Sequence, residues 1–403
     1  MEEWIRPATP VTAAARAAAL WALAFRPFFL AASVWAALAL AVWIVLLLTG
    51  GRLPSRFDPL SWHIHAMLFG FVPAAIAGFM LTAIPAWTGR RPISGAPLIG
   101  LVALWLLGRV VCLVSAFLPL WSAAAVDLAF PITLCAVAAR EIIAARNWRN
   151  LMMPIPIGVL GFADLLMYLE LAGYGVPAGL GWRLAIAAII ALISAIGGRI
   201  IPAFTRNWLV QRGVAALPAA HSRVDRAALA VLHTGLLWWA LFPASKPAGA
   251  ILIAAAALNL GRLARWRGFA TAPEPLLAIL YVGYTWIVLG AALLGASMLS
   301  SSVPEAAAIH AFTAGAIGTM VLAVMTRVAR GHTGRALEAD RVTITTYLMV
   351  TGAAVIRVIA EFAGASAMIL FAASAVLWVG GFGLFAVSHA SMLLSPRLDA
   401  NRS

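Results

Sequence analysis

The stretch Trp62-His63-Ile64-His65-Ala66-Met67-Leu68-Phe69-Gly70 sets two imidazoles and a thioether where an apolar helix begins. Nitrogen and soft sulfur donors of this kind suit haem iron and copper. The remaining five histidines, His221, His233, His310, His332 and His389, stand singly, so this is the one dense cluster of potential metal ligands in 403 residues. On a regular helix His63 and Met67, four apart, share a face, whereas His63 and His65 point about 200° away from each other. One site can use both histidines only if His63 sits in a non-helical first turn.

The elements that must position these groups follow from composition. Hydrophobic residues make up 64% of the chain and charged residues 10%, with a mean hydropathy of +0.98, which excludes a water-soluble globule. Apolar runs long enough to cross ~30 Å of hydrocarbon recur along the chain. Twelve are expected, at 27–49, 64–87, 97–118, 121–145, 152–173, 182–204, 226–243, 247–264, 275–299, 306–328, 342–363 and 366–393. The fold class is therefore all-α and polytopic. Residues 1–26 form a cytoplasmic segment, 27–393 a single twelve-helix transmembrane domain and 394–403 a cytoplasmic tail. The first 26 residues lack a short apolar run followed by a small-residue cleavage site, so no signal peptide is read there.

Basic residues are retained on the cytoplasmic side of short loops. Of the 28 Lys and Arg residues, 21 fall at the amino end, in alternate loops or at the carboxyl end, Arg6 and Arg402 among them; Arg52, Arg56, Arg183 and Lys246 fall in the opposite set. Both termini are thus expected to be cytoplasmic. The formal charge of +14 is largely this topological signal and gives no reason to expect a nucleic-acid partner. Cys112 and Cys135 lie inside spans and read as small apolar packing residues.

Spans two, six and ten end in related text, and Gly78, Gly198 and Gly318 within them are 120 residues apart; Arg109, His233 and Arg357 in the spans that follow are 124 apart. This spacing hints at three four-helix repeats. The same topology sorts the histidines by depth. His63 and His65 begin span two and His310 begins span ten, so all three lie near the outer face and could share a metal.

Ionisable groups within a bilayer are costly and usually face a bundle interior or a polar cavity. Arg109 and Arg357 lie where they could meet haem propionates; they could equally pair with Asp127 and Glu361, the latter four residues after Arg357. Asp164 and Glu170 suit either a proton path or a packing network. His233, near mid-membrane, reads as a satisfied core histidine or an axial ligand, and His389 could join it only if the bundle brings their helices together. His332, in Gly331-His332-Thr333-Gly334-Arg335, reads as a loop residue or as part of an anion or propionate site, and His221 as a loop residue.

Several of these segments resemble one family in the correct order. Arg26-Pro27-Phe28-Phe29-Leu30, the stretch from Trp62 to Gly70, Thr88-Gly89-Arg90, Ile201-Pro202-Ala203-Phe204-Thr205-Arg206-Asn207, Gly315-Ala316-Ile317-Gly318-Thr319-Met320, Met325-Thr326-Arg327 and Gly331-His332-Thr333-Gly334-Arg335 are similar to the NnrS family, over about 25–395. The resemblance implies a multi-pass protein of the bacterial inner membrane, containing haem b and copper and linked to denitrification and nitric oxide stress. It maps the motif histidines onto His63, His65, His310 and His332. It also leads us to expect Glu where this chain has Ala66 and His where it has Tyr281.

The expected function is binding of nitric oxide at a haem held by histidines from spans two and ten, with detoxification or reduction by an oxidoreductase drawing on membrane quinol. Binding or sensing without turnover is the alternative. A transporter without any cofactor is the competing class, whereas a haem–copper oxidase-type subunit is disfavoured because its paired neighbouring histidines have no counterpart here.

Overall fold

A computed structural model describes residues 12–398; Arg6 and Arg402 of the topological count lie outside the described residues. Thirteen helices follow one another. They are α1 (Ala13–Leu20), α2 (Phe25–Thr49), α3 (Pro59–Thr88), α4 (Ala96–Leu113), α5 (Leu120–Ala144), α6 (Ile155–Leu171), α7 (Leu180–Gln211), α8 (Arg223–Leu241), α9 (Lys246–Ala264), α10 (Pro275–Leu299), α11 (Glu305–His332), α12 (Arg341–Ala360) and α13 (Ala367–Leu393). The twelve expected spans correspond to α2 through α13, and the short α1 is an addition that composition did not announce.

Among the described residues, eleven helices are long and apolar enough to cross a membrane. The exception is α8, whose first turn carries Arg223, Asp225 and Arg226 and so lowers its hydropathy. It nevertheless packs along both α7 and α9. Its Asp225 pairs with Arg262 at the end of α9, and its Ala240 carbonyl accepts from Arg183 at the start of α7.

Consecutive helices pack side by side, and α13 closes against α2. At the centre, α3, α7 and α11 each touch the other two. The spans α3 and α11 are also the most buried, at 83% and 67% of their apolar windows. Small residues permit such close approach in a bilayer, where helix association relies on packing rather than on a hydrophobic drive.

Both α3 and α11 are interrupted by π-helical segments, at Ala66–Phe71 and Ala311–Gly318. Each follows directly on a candidate histidine, since His65 precedes the first and His310 the second. In α3 the cause is local. Pro73, two residues past the segment, has no N–H for the ladder and crowds the carbonyl of the preceding turn. Trp35 Nε1 donates to the Ala66 carbonyl and Trp105 Nε1 to the Gly70 carbonyl, both at 2.9 Å. These indoles satisfy backbone groups near the break that lipid would leave without partners. Gly70 is required there because a methyl group would meet Trp35 and Arg109; at Gly315 it would meet the Trp286 ring.

Helix starts are set by capping. Asp58 accepts from the N–H groups of Leu60 and Ser61, and Pro59 occupies the first helical turn, so α3 begins five residues before the expected 64. His63 and His65 therefore lie within regular helix, not in an irregular first turn. Asp340 caps α12 through the Thr343 N–H at 2.8 Å and pairs with Arg330 at 2.6 Å. Partial burial pushes both carboxyls up, but these hydrogen bonds, with Arg330 beside Asp340, outweigh it and hold both below the usual carboxylate range.

A depressed folded-state pKa contributes stability that is complete above the unfolded value and is lost as pH falls through the folded one. Thermal unfolding in detergent is therefore expected to weaken below about pH 4. Asp58→Asn and Asp340→Asn, which keep a cap but cannot titrate, should flatten that acid limb. Asp58→Ala should cost about 1 kcal/mol at neutral pH.

Candidate functional site

His310 ends the regular first turns of α11. Its Nδ1 lies 2.7 Å from the Ala306 carbonyl, which can only accept, so Nδ1 carries the proton and Nε2 keeps a free lone pair. His63, on the third residue before the α3 break, lies flat against Trp43 of α2, with ring centroids 4.8 Å apart and planes 12° apart. Its Nδ1 is buried without a hydrogen-bond partner. One turn along, Met67 faces the same way.

These three side chains line one cavity of about 550 Å³, together with Arg357 and Glu361 from the end of α12. That volume suits a medium-sized ligand. Apart from Thr313 and Ser374 the remaining wall is apolar and aromatic, with contributions from α2, from α7 through Trp182 and Ile186, and from α13 through Phe371 and Trp378. Arg357 is ion-paired to Glu361, and its guanidinium lies 4.1 Å from the Phe371 ring centroid. Glu361 also comes within 3.7 Å of His310 Nδ1. An imidazole with a free nitrogen, a second buried imidazole, a thioether and a held guanidinium in one largely apolar chamber form a donor set suited to a metal macrocycle bearing carboxylates.

His65 faces the other way, as the helical spacing requires. It is wholly buried, with Nε2 2.8 Å from Asp127 and 2.9 Å from Asp164. Nδ1 lies 3.4 Å from Cys112 Sγ. The other Asp127 oxygen is ion-paired to Arg109, and Tyr168 donates to Asp127 at 3.0 Å. His65, Cys112 and Asp127 form a buried group that could hold a metal ion. Each of those three side chains also has a partner within the network, while Arg109 keeps Nε and Nη1 buried without a hydrogen-bond partner. Arg109 is consequently an ion-pair residue and not a lining residue of the His63–His310 cavity, whereas Arg357 both pairs and lines it. Cys112 is not the simple packing residue that its apolar surroundings suggested.

The other expected residues are dispersed. His233 is half-buried and bonded through Nε2 to Ser194 Oγ at 2.9 Å. His332 is not in a loop: it ends α11, with its ring against Phe25. His389 stacks on Phe385. None of the three lines the cavity. Glu170 is engaged by the Gly179 N–H. Tyr281 lies elsewhere too, with its hydroxyl 2.7 Å from both Thr205 Oγ1 and the Trp266 carbonyl, so it supplies no ligand to the chamber.

Sequence reading passed over Cys112 and Asp164 as partners of His65. The available signal was polar residues at helical spacing inside apolar runs, Arg109 with Cys112 and Asp164 with Tyr168. The π segments had no comparable signal beyond Pro73 and the neighbouring glycines.

Comparison with known families supplies one match: the family described as NnrS protein matches residues 19–397. No curated protein matches the chain.

The ionic network has a direct energetic test. Arg109→Ala leaves Asp127 buried with a diminished set of partners and should destabilise the protein by about 3–5 kcal/mol, read as loss of unfolding cooperativity in detergent. The pair replacement Arg109→Met with Asp127→Leu should cost clearly less than the sum of the single changes, as a double-mutant cycle would measure.

Proposed function

The chain belongs to the NnrS family, and on that premise we propose that it is a haem b protein of the bacterial inner membrane that binds nitric oxide and contributes to its removal. One observation carries this reading. His63 and Met67 of α3 meet His310 and Arg357 of the distant, consecutive helices α11 and α12 in a single, largely apolar chamber in which His310 Nε2 is free. The His65 group could itself hold a metal ion, but it lies outside this chamber.

When bound, haem supplies iron with high affinity for nitric oxide. The chain's own part is placement. The Ala306 carbonyl holds the His310 ring in the tautomer that presents Nε2, as partners of metal-bound histidines generally do. Trp43 holds His63 flat at the wall, Met67 offers a thioether beside it, and the largely apolar lining favours a hydrophobic macrocycle over water. Arg357, steadied by Glu361, is the group suited to a propionate. His63 with Met67 would also suit Cu(I), which favours nitrogen and soft sulfur, so copper belongs in this reading as a second metal.

The cytoplasmic placement of both termini expected from the basic residues would put the chamber toward the outer face. Reduction of two nitric oxide molecules to nitrous oxide and water takes two electrons and two protons. Membrane quinol is the proposed electron source, and Glu361 is the ionisable group that could carry a proton at the chamber wall. Oxidoreductase activity with nitric oxide as substrate is the fuller form of the proposal, and binding or sensing without turnover the narrower.

Purified protein is expected to show a Soret band that His310→Ala abolishes and His63→Ala weakens or shifts. His233→Ala and His332→Ala should keep it. A folded, colourless wild-type protein from haem-replete cells would overturn the haem reading and favour a transporter.

For turnover, anaerobic reduced protein should change its spectrum on adding nitric oxide and release nitrous oxide when supplied with a quinol. A spectral change with no nitrous oxide would reduce the function to binding. Arg357→Gln should loosen haem retention, measured as faster transfer to an apo-haemoprotein acceptor, without altering the position of the ferrous band by more than a few nanometres.

A further inference from the structure

A second cavity, of about 680 Å³, lies at the opposite end of the bundle on different residues. Gly198, Arg199, Pro202 and Arg206 of α7 form one wall, Arg226 of α8 and the 218–221 segment another, with Arg149 at the rim and Arg262 of α9 in the floor. Its depth follows from helix length. At 1.5 Å per residue the 32 residues of α7 extend about 48 Å, well beyond ~30 Å of hydrocarbon. The beginning of α7 lines the first chamber through Trp182. The stretch from Arg199 onward therefore emerges at headgroup level on the other face, the side expected to be cytoplasmic.

The charges in this cavity are not balanced. The buried Arg262 guanidinium bonds Asp225 at 3.1 Å, the Tyr284 hydroxyl at 2.6 Å and the Ser194 carbonyl at 3.3 Å. It runs so close to Gly198 that any side chain there would collide with it. Asp225 is further engaged by Arg265 at 3.8 Å and by Ser222. Arg149, Arg199, Arg206 and Arg226 line the same cavity, and among the described residues their side chains form no ion pair or hydrogen bond. Retention of basic residues on one side of a membrane accounts for their face, not for their convergence on one concavity. The wall is also built, since the 218–221 segment is held to Arg265 by the Ala219 N–H at 3.1 Å and the Ala220 carbonyl at 3.2 Å.

We infer that this cavity binds a phosphate-class anion. Guanidinium groups present planar forks that match phosphate oxygens, and several in one concavity focus a positive potential that only an anion relieves. At headgroup depth the phosphate is carried by an acidic phospholipid or arrives free in solution; the chemistry recognised is the same. The site stands apart from the haem reading, because it shares no lining residue with the first chamber.

The test uses full-length protein in a neutral detergent. Short-chain phosphatidylglycerol, short-chain phosphatidylcholine and inorganic phosphate, each at matched ionic strength with chloride, are titrated while thermal stability is followed, and bound lipid is counted by native mass spectrometry. Phosphatidylglycerol or phosphate, but not phosphatidylcholine, should raise the melting temperature of the wild type. The double variant Arg199→Gln with Arg206→Gln, both exposed and without partners, should weaken that response at least about tenfold, consistent with loss of charge-assisted contacts. The control pair Arg91→Gln with Arg341→Gln, expected on the same face and outside the lining of the cavity, should leave it intact. An arginine-dependent response to phosphatidylglycerol alone assigns a lipid headgroup, and a response to inorganic phosphate assigns a soluble anion. Equal responses in wild type and double variant, or equal losses in double variant and control, would overturn the site.

Discussion

The contact of His65 with Asp127 and Asp164 sets the rotation of α3 about its own axis, and most of the architecture around the chamber depends on that rotation. Two carboxylates on α5 and α6 clasp one imidazole nitrogen. They hold that side of α3 against α4, α5 and α6, where Arg109, Cys112 and Tyr168 complete the network. His63 lies about 200° around the helix and must then face α2 and α11. The chamber lies on that side and the ionic network on this one. In a bilayer an unmatched buried charge is costly, so rotating α3 away from these partners is penalised.

The chamber also relies on local departures from α-helical geometry. The π segments in α3 and α11 begin one residue after His65 and His310, and π bulges of this kind recur at functional sites because they re-aim side chains without ending the helix. Each segment has a glycine against which an indole packs, Gly70 with Trp35 and Gly315 with Trp286. The third central helix, α7, is continuous through its length. It contributes to the first chamber only through its opening residues, while its far third carries arginines to the second cavity. One long helix thus runs between an apolar, histidine-bearing chamber and a basic pocket at opposite ends of the bundle.

The charged groups divide by their need for a partner. Arg109 and Arg262 are deeply buried and have carboxylate partners, as the cost of an isolated charge in low dielectric demands. Arg357 is paired yet still borders open space, so its charge is steadied without being withdrawn. Arg199 and Arg206 are exposed and unpaired, at a depth where water and headgroups meet them. Position in the membrane, more than residue type, separates these roles.

Sequence by itself determined the solvent, the fold class and nearly all of the helices, because twenty-residue apolar runs report bilayer thickness directly. The opposed directions of His63 and His65 followed from helical period alone, and the common depth of His63 and His310 from counting spans. Which partners those directions meet depends on how the helices pack. Whether Arg109 faces a cofactor or Asp127, whether Cys112 is mere packing, and whether Tyr281 enters the chamber all depend on the rotation and neighbours of each helix. An apolar run carries little information on either, since lipid and protein are almost equally good solvents for its side chains. The π segments were hidden for a related reason: they arise where Pro73, the glycines and the indoles of neighbouring helices act on the backbone together.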